Sequence, residues 1–237
     1  MGIIKTKGII LQQNSMGDND AMVTLLTPDL GKIGCAAKGA KRPKSALMAG
    51  TQFLCFGDFI IYKGVSSYNI NSCEPIEIFY NIRLDIDKLT YATEVAKIVN
   101  DVTEENVSEY RVLQLTLNTL YMISETDKDL DFILSVFKLR LLSIIGFRPE
   151  IEKCTNCNEK QDLAYFSIKD NGLKCKNCGR IDKSAIMIND STVKAIKFII
   201  WADAKKIFSF DISEESKSQL KLITKLYLDK CIEKEYN

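Results

Sequence analysis

The chain of 237 residues contains no histidine. Without an imidazole, the chain cannot form a Ser-His-Asp triad, a Cys-His dyad or a histidine general base. Any metal site must therefore use cysteine, aspartate or glutamate as its ligands. The absence excludes the classes of enzyme whose chemistry depends on histidine.

The sequence also lacks a strong net charge and a long apolar run. It carries 32 Lys and Arg against 31 Asp and Glu, a formal net charge of +1. Apolar stretches such as KFIIWA are much shorter than the ~20 residues that cross a bilayer, and the N-terminal MGIIKTKGIILQQ alternates, unlike a secretory signal. We expect a cytoplasmic protein with no membrane partner, in which any nucleic-acid binding comes from a local basic patch.

Eight cysteines stand out against these absences, and four of them form two close pairs. Cys154 and Cys157 lie in CTNC, and Cys175 and Cys178 lie in CKNC. Two C-x2-C pairs at this separation predict a structural Zn²⁺ site with four thiolate ligands at residues 154–178. Two redox-active pairs and an iron–sulfur site are the alternatives. We interpret the other four cysteines as small buried apolar residues: Cys35, Cys55, Cys73 and Cys231.

The pattern of apolar residues changes near residue 79. Before it, five short stretches with β-branched residues and turn signals predict a small antiparallel barrel without intervening helices. The fourth stretch is FLCFGDFIIYK, residues 53–63, in which Gly57 predicts a bulge or a bend. After it, apolar residues recur at helical spacing, most clearly over 130–145, where we expect one apolar face and an end near Gly146 and Pro149. Earlier helices are predicted over 82–100 and 109–124, and two later ones follow the cysteine pairs. Ser213 is the expected N-cap of the last helix, with Glu214 and Glu215 in its first turn.

The segment GKIGCAAKGAKRPKS, residues 31–45, is basic although the whole chain is nearly neutral. It has five cations and no acid, namely Lys32, Lys38, Lys41, Arg42 and Lys44. A solvated loop, a membrane-surface patch and a phosphate-binding loop on a barrel are the three interpretations. The aromatic residues that follow are mostly core candidates: Phe53, Phe56, Phe59, Tyr62 and Tyr68.

Four stretches together resemble the RecO family of bacterial DNA repair and recombination mediators. They are KGIIL, VTLLTPDLGKIGCAAKGAKRPKS, FRPEIEKCTNC and YFSIKDNGLKCKNC, in the family's order. The resemblance implies an α+β protein, with an N-terminal five-stranded OB-fold over 1–78. It also implies a helical domain over 79–237 that contains an inserted four-cysteine zinc motif. The chain departs from the family pattern at MGDND, residues 16–20, where members commonly carry a glycine-glutamate pair.

The resemblance also implies a function without covalent chemistry. Members bind single- and double-stranded DNA, anneal complementary strands, and act with RecR and the C-terminal tail of single-stranded DNA-binding protein to help load RecA. A nucleoid-associated location follows from this, and no catalytic residue is expected. A zinc-containing RNA-binding protein, a metal-dependent nuclease and a thiol oxidoreductase are the alternatives.

Two sets of residues are assigned to these partners. Lys38, Lys41, Arg42 and Lys44 are expected to contact DNA, with Lys32 included as their neighbour on the same strand. Arg140 and Arg148, near the helix over 130–145, are candidates for binding the partner tail, because such a peptide needs a cation at the rim of an apolar groove. No motif fixes these two arginines.

Overall fold

A computed structural model of the chain describes residues 2–65, 67–234 and 236. The chain forms two compact units, residues 1–125 and 126–237. The helices that directly follow the barrel belong to the first unit, so the units divide later than the domain boundary expected after residue 78. That boundary stays a prediction.

Five strands of the first unit form a closed barrel with the order β1-β2-β3-β5-β4, in which β4 pairs with β1. The strands are β1 (Gly2–Met16), β2 (Asp20–Thr27), β3 (Gly31–Ala37), β4 (Phe56–Lys63) and β5 (Tyr68–Glu77). Neighbours are antiparallel except β3 and β5, which pair in parallel. This is the topology of an OB-fold, and it confirms the predicted five-stranded barrel.

Strand alternation produces the barrel core. A register shift between Ile10 and Gln12 lets β1 pair with β4 through its first half and with β2 through its second half. Inward-facing apolar residues of all five strands form one buried cluster. Gly57 is required where β4 crosses β5, because a Cβ there would lie 2.4 Å from the carbonyl oxygen of Glu74. The register shifts between Phe56 and Gly57, as the predicted bulge requires.

The connection from β3 to β4 is a series of turns that closes the barrel. The sequence predicted that the fourth strand begins at Phe53, but β4 begins at Phe56, so this expectation was wrong. The preceding turns are tied to β1, since Leu54 N–H donates to the Ile10 carbonyl at 2.9 Å and Ile10 N–H donates to the Cys55 carbonyl at 3.0 Å. Leu47 enters the barrel core from the same connection.

Three helices complete the first unit: α1 (Tyr80–Arg83), α2 (Ile86–Val102) and α3 (Tyr110–Glu125). Asp85 caps α2 by accepting from two backbone N–H groups. The loop between α2 and α3 lies against the β2–β3 turn, where Asn106 N–H donates to the Leu30 carbonyl at 2.9 Å and Glu109 N–H donates to the Pro28 carbonyl at 2.8 Å.

The second unit combines helices with a small sheet of order β7-β6-β8. Its elements are α4 (Leu130–Ile144), β6 (Leu163–Ser167), β7 (Gly172–Cys175), α5 (Lys176–Ile181), β8 (Ile186–Met187), α6 (Asp190–Trp201) and α7 (Glu214–Ile232). The side chain of Ser213 accepts from Ser216 N–H, as the predicted N-cap requires. Among the described residues, no helix has both the length and the apolar character needed to cross a bilayer.

Helix α4 differs from the single apolar face that its sequence predicted. Every residue from Phe132 to Leu139 is buried, together with Leu141 and Leu142. The helix packs against both α6 and α7, so that it is enclosed on more than one side. A periodicity that marks one face therefore underestimated the burial of this helix.

The four cysteines outside the pairs behave largely as expected. Cys35 and Cys55 belong to the buried barrel core, whereas Cys73 and Cys231 are half-buried. Burial raises the pKa of Cys35 to about 12 and that of Cys55 to about 11. These thiols are protonated at neutral pH and act as apolar side chains.

Candidate nucleic-acid interface and metal centre

Residues 38–44, here called the basic loop, leave the end of β3 and fold into consecutive turns. Arg42 N–H donates to the Gly39 carbonyl at 3.1 Å, and Ser45 N–H donates to the Arg42 carbonyl at 3.0 Å. Gly39 has φ +70°, which suits a residue without a Cβ. All four cations of the loop are exposed, namely Lys38, Lys41, Arg42 and Lys44.

The turn between β1 and β2 supports the basic loop. The carboxylate of Asp20 accepts a hydrogen bond from Gly39 N–H at 2.7 Å. The backbone N–H of Lys41 donates to the Asn19 carbonyl at 2.9 Å, and its ammonium donates to the Ser15 hydroxyl. The MGDND segment, which sequence reasoning left without a role, therefore holds the basic loop in place.

Lys32 lies at the other end of β3 from the basic loop. Six residue steps of about 3.3 Å separate it from Lys38, a distance of roughly 20 Å. Its ammonium donates to the carbonyl of Asn100 in α2. The structure thus does not bring Lys32 to the other four cations, and its assignment to a DNA site stays a prediction that this placement does not support.

The sulfur atoms of the two cysteine pairs converge in the second unit. All four Sγ atoms lie within 4.8 Å of one another, and those of Cys157 and Cys175 are 3.7 Å apart. A tetrahedral ion with bonds of about 2.3 Å to sulfur separates its ligands by about 3.8 Å. Cys154 and Cys175 are buried, Cys178 is half-buried and Cys157 is exposed. The geometry therefore fits a metal ion held by four thiolates.

Local structure aims each pair at the common centre. In the first pair, Asn158 N–H donates to the Cys154 carbonyl at 3.0 Å, and Asn158 adopts φ +63° to close the turn. In the second pair, Cys175 is the last residue of β7 and the N-cap of α5, which places Cys178 in the first turn of that helix.

Hydrogen bonds at the cluster favour thiolate at Cys154. Burial opposes its ionisation, but the backbone N–H groups of Cys175, Cys157 and Asn156 outweigh burial and lower the pKa of Cys154 to about 6. At Cys157 the backbone N–H of Glu159 favours the thiolate, yet proton sharing with the neighbouring thiols prevails and raises the pKa to about 12. A cation at the centre would replace these shared protons.

Polar groups around the cluster are also arranged for a thiolate site. The side-chain amide of Asn156 donates to Cys178 Sγ at 3.3 Å. Hydrogen bonds from outside the ligand set are typical of metal centres, because they orient the ligands and balance their charge. The donor set and its surroundings thus suit Zn²⁺.

The buried Lys174 of β7 forms ion pairs with two carboxylates, one of them at the end of α5 beside the cluster. The ammonium of Lys174 lies 2.6 Å from a carboxylate oxygen of Asp170 and 2.6 Å from one of Asp182. The hydrogen bond from Lys174 is the main reason why the pKa of both carboxyls lies below the usual range. Burial alone would lower the pKa of Lys174, but the two carboxylates raise it.

Arg140 belongs to α4, and its guanidinium lies at the C-terminal end of α6. Its guanidinium donates to the carbonyls of Ile199 at 3.1 Å and Ala202 at 2.9 Å, and also to that of Ile200. It therefore satisfies carbonyl groups that the helix leaves without intrahelical partners. Lys138, two residues before it in α4, is buried.

Arg148 lies near the same helix end but has a more exposed position. Its guanidinium carbon is 4.9 Å from the ring centre of Trp201, which is 58% exposed. The indole N–H of Trp201 donates to the Glu152 carboxylate at 3.1 Å. An exposed aromatic ring with a cation above it can contact an apolar or acidic ligand.

Comparison with known proteins decides the family. The family model described as recombination protein O, N terminal, matches residues 1–79, and the C-terminal model matches residues 83–237. The chain belongs to the RecO family. Among its relatives, the DNA repair protein RecO of Acetivibrio thermocellus is 41% identical over 237 residues, covering 100% of this chain and 94% of the relative.

Other RecO relatives are similar over nearly the same span. The DNA repair protein RecO of Alkaliphilus metalliredigens is 36% identical over 227 residues, covering 95% of this chain and 92% of the relative. That of Bacillus subtilis is 31% identical over 227 residues, covering 96% and 89%. The RecO family resemblance deduced from the sequence is confirmed, and it places the chain among DNA repair proteins.

Within this RecO fold, the structure groups four predicted cations in one loop and four predicted ligands in one cluster. Sequence reasoning missed Asp20 and Ser15, which hold the loop, and Asn156, which donates to a ligand. Asparagine directly between two paired cysteines is a local feature that could have been noticed. Asp20 acts across 19 residues, and no local pattern reveals such a contact.

Proposed function

We propose that this RecO family chain is a DNA-binding recombination mediator, in which the basic loop binds phosphates of single- and double-stranded DNA. The observation that carries the proposal is the grouping of four exposed cations on one ordered loop at the end of a closed barrel. Cations that neutralise phosphates release counterions, which drives binding without reading sequence. Two strands held close by such contacts then anneal, and base pairing supplies the free energy. No covalent step is needed.

The test of this proposal is the salt dependence of DNA binding. We expect the triple variant Lys41→Ala, Arg42→Ala and Lys44→Ala to bind more weakly and to make the negative slope of log K against log salt shallower by roughly 2 to 3 for duplex DNA. The matched control replaces the exposed residues Lys194, Lys205 and Lys206 by alanine. It removes the same charge elsewhere and should leave the slope unchanged. An unchanged slope in the loop variant would indicate that the loop is merely solvated and does not bind phosphates.

The cysteine cluster is proposed to hold one structural Zn²⁺. Four thiolates complete tetrahedral coordination and leave no open position for substrate or water. The ion would supply folding free energy to a small sheet whose own core is slight. Cys154, Cys157, Cys175 and Cys178 would be its ligands.

The alternatives have weaker support. A metal-dependent nuclease needs converging carboxylates, and within the described residues the only group of three or more metal-ligating side chains is the four-cysteine cluster. An RNA-binding protein would bind RNA at least as tightly as DNA of matched sequence, and a direct comparison of the two tests it.

Partnership with RecR, and with the C-terminal tail of single-stranded DNA-binding protein, belongs to the same proposal, as does RecA loading. For the acidic tail, Arg148 beside the exposed Trp201 is the better candidate, because Arg140 already binds helix carbonyls. A labelled tail peptide should bind Arg148→Ala at least severalfold more weakly than wild type. If Arg140→Ala and Arg148→Ala both bind it as wild type does, the tail site lies elsewhere.

A further inference from the structure

A row of outward-facing side chains crosses all five strands at the end of the barrel that carries the basic loop. Met22 lies opposite Ala36, Ala36 beside Asn69, Asn69 opposite Tyr62, and Tyr62 opposite Ile3. We call these five residues the outer row. Ile3 is 67%, Met22 40% and Tyr62 38% exposed. The row is therefore an uncharged surface, with the smaller side chains of Ala36 and Asn69 in its middle and bulkier side chains towards its ends.

Cations flank this row. Lys38 lies two residues beyond Ala36, so that it leaves β3 on the same face of the barrel. Lys5 lies two residues beyond Ile3 on the outward face of β1 and is exposed, whereas Lys63, next to Tyr62, faces the other way, with its ammonium 5.3 Å from the centre of the Tyr68 ring. With strands about 4.8 Å apart, Ala36 and Tyr62 are roughly 10 Å apart across the row. A few nucleotides of a single strand are long enough to join the basic loop to Tyr62.

The outer row itself contains no acidic side chain. The nearest strand carboxylate is that of Asp20, which lies two residues before Met22 on the same face of β2 and accepts a hydrogen bond from Gly39 N–H. Asp58 and Glu74 lie opposite each other farther from the basic loop, and Asp58 is 3.5 Å from Lys7. A polyanion that crosses the outer row therefore meets more cations than carboxylates.

Tyr62 is the aromatic residue that the barrel leaves most accessible. Phe59 and Tyr68 point into the core, and Phe53 and Phe56 are half-buried. The β2–β3 part of the row has only Met22 and small residues, so a ring that can stack on a base comes from β4 instead. Tyr62 is thus the candidate stacking group of this surface.

We propose that the outer row is a track for single-stranded DNA, on which Tyr62 stacks against one base while the basic loop contacts the neighbouring phosphates. This inference rests on the proposed function of the basic loop in DNA binding. An unpaired base offers its face to an aromatic ring, whereas a base within a duplex has both faces covered by its neighbours. Tyr62 therefore gives preference for single strands, which phosphate contacts alone cannot give. A base stacked by its face keeps its pairing edge free for a complementary strand.

The test compares Tyr62→Leu, which keeps apolar bulk but removes the ring, with Tyr62→Phe, which keeps the ring. The probes are a short single strand containing 2-aminopurine and a duplex of the same sequence. We expect Tyr62→Leu to weaken single-strand binding by roughly 5-fold to 100-fold and to lose the fluorescence quenching that stacking causes. Duplex affinity and the salt slope should stay as in wild type, and Tyr62→Phe should bind as wild type does. The control is Tyr121→Leu, since Tyr121 is 57% exposed on α3.

Two results would overturn the inference. Single-strand affinity and quenching that do not change in Tyr62→Leu would show that no base stacks there. Equal weakening for single strand and duplex would show that the ring has no role specific to unpaired bases. Either result leaves the proposed function standing if the basic-loop variant still makes the salt slope shallower. An unaffected basic-loop variant would instead contradict the proposed function itself.

Discussion

The carboxylate of Asp20 holds the basic loop through one hydrogen bond from Gly39 N–H at 2.7 Å. Replacing it with alanine has two effects of opposite sign. Removing a negative charge near four cations favours DNA binding, whereas releasing the loop disfavours binding because the cations lose their fixed positions. We predict that Asp20→Ala weakens DNA binding severalfold, measured by titration at constant salt, because loss of position outweighs the gain in charge.

Asp20→Asn is the matched control for this prediction. The asparagine oxygen can still accept from Gly39 N–H, but the charge is gone, so its affinity should equal or exceed that of wild type. If Asp20→Ala binds DNA more tightly than wild type, the hydrogen bond does not position the loop.

Residues whose role is set by local pattern were predicted, and residues whose role is set by distant partners were not. The spacing of Cys154 and Cys157 is enough to predict that their sulfurs point to one centre. The role of Lys32 depends on Asn100, 68 residues away, and that of Arg140 depends on carbonyls about 60 residues away. Sequence marks such residues as cations, but only the fold decides whether a cation meets a helix end or solvent.

At the scale of elements, alternation and turn residues were enough to predict the barrel and its strand count. They could not predict the parallel pairing of β3 with β5, because it joins only Cys35 to Tyr68 and Ala36 to Asn69. They also missed β8, whose two residues are too few to show a period. The start of β4 was placed too early because Phe53 and Leu54 are apolar like strand residues, although they form turns.

The end of α6 allows a prediction about stability. Arg140→Ala would leave the carbonyls of Ile199, Ile200 and Ala202 without this donor. Since hydrogen bonds to a charged group contribute more than neutral ones, we predict a loss of about 2 kcal/mol in the free energy of unfolding. Denaturant unfolding of the purified chain measures it.

Arg148→Ala is the control for that measurement, since it removes the same side chain close to the same helix. Its contact with an exposed ring contributes only about 0.5 to 1 kcal/mol. Equal losses in the two variants would argue against a special role of Arg140 at the helix end.

The small sheet of the second unit gives a prediction about metal. We expect purified protein to contain about one zinc ion per chain and Cys175→Ser to contain almost none, because a missing thiolate leaves the tetrahedral site incomplete. Elemental analysis measures the ion. Amide hydrogen exchange should show that β6 and β7 lose protection in the variant.

Cys73→Ser provides the comparison, because Cys73 is half-buried in the barrel and far in sequence from the four ligands. Its metal content should equal that of wild type. Wild-type protein without metal, with all four thiols reactive in the native state, would refute the site.

At the scale of the whole molecule, near-neutrality conceals a local concentration of charge. The formal net charge is +1, yet residues 38–44 carry four cations and no acid. A polycation attracts nucleic acid over its whole surface, whereas this chain can attract it mainly at the basic loop. Overall composition could therefore neither predict nor exclude DNA binding, and the RecO resemblance was needed to assign it.

This distribution leads to a prediction about strand annealing. We expect the wild-type chain to speed annealing of complementary DNA strands at low salt and to lose this effect steeply as salt rises, because released counterions drive the contacts. The triple alanine variant of Lys41, Arg42 and Lys44 should anneal slowly at every salt concentration while remaining folded. Fluorescence of strands labelled with a donor and a quencher follows the reaction.

Strands coated with single-stranded DNA-binding protein extend the same test to the partner. If the tail recruits the chain, annealing of coated strands requires that tail, and coating protein without its tail should block annealing even for wild type. The basic-loop variant should still be recruited by the tail but anneal poorly, because recruitment and phosphate contact use different residues. Annealing of coated strands that is equally fast with and without the tail would contradict recruitment, while the salt dependence on bare strands would still support direct DNA binding by the loop.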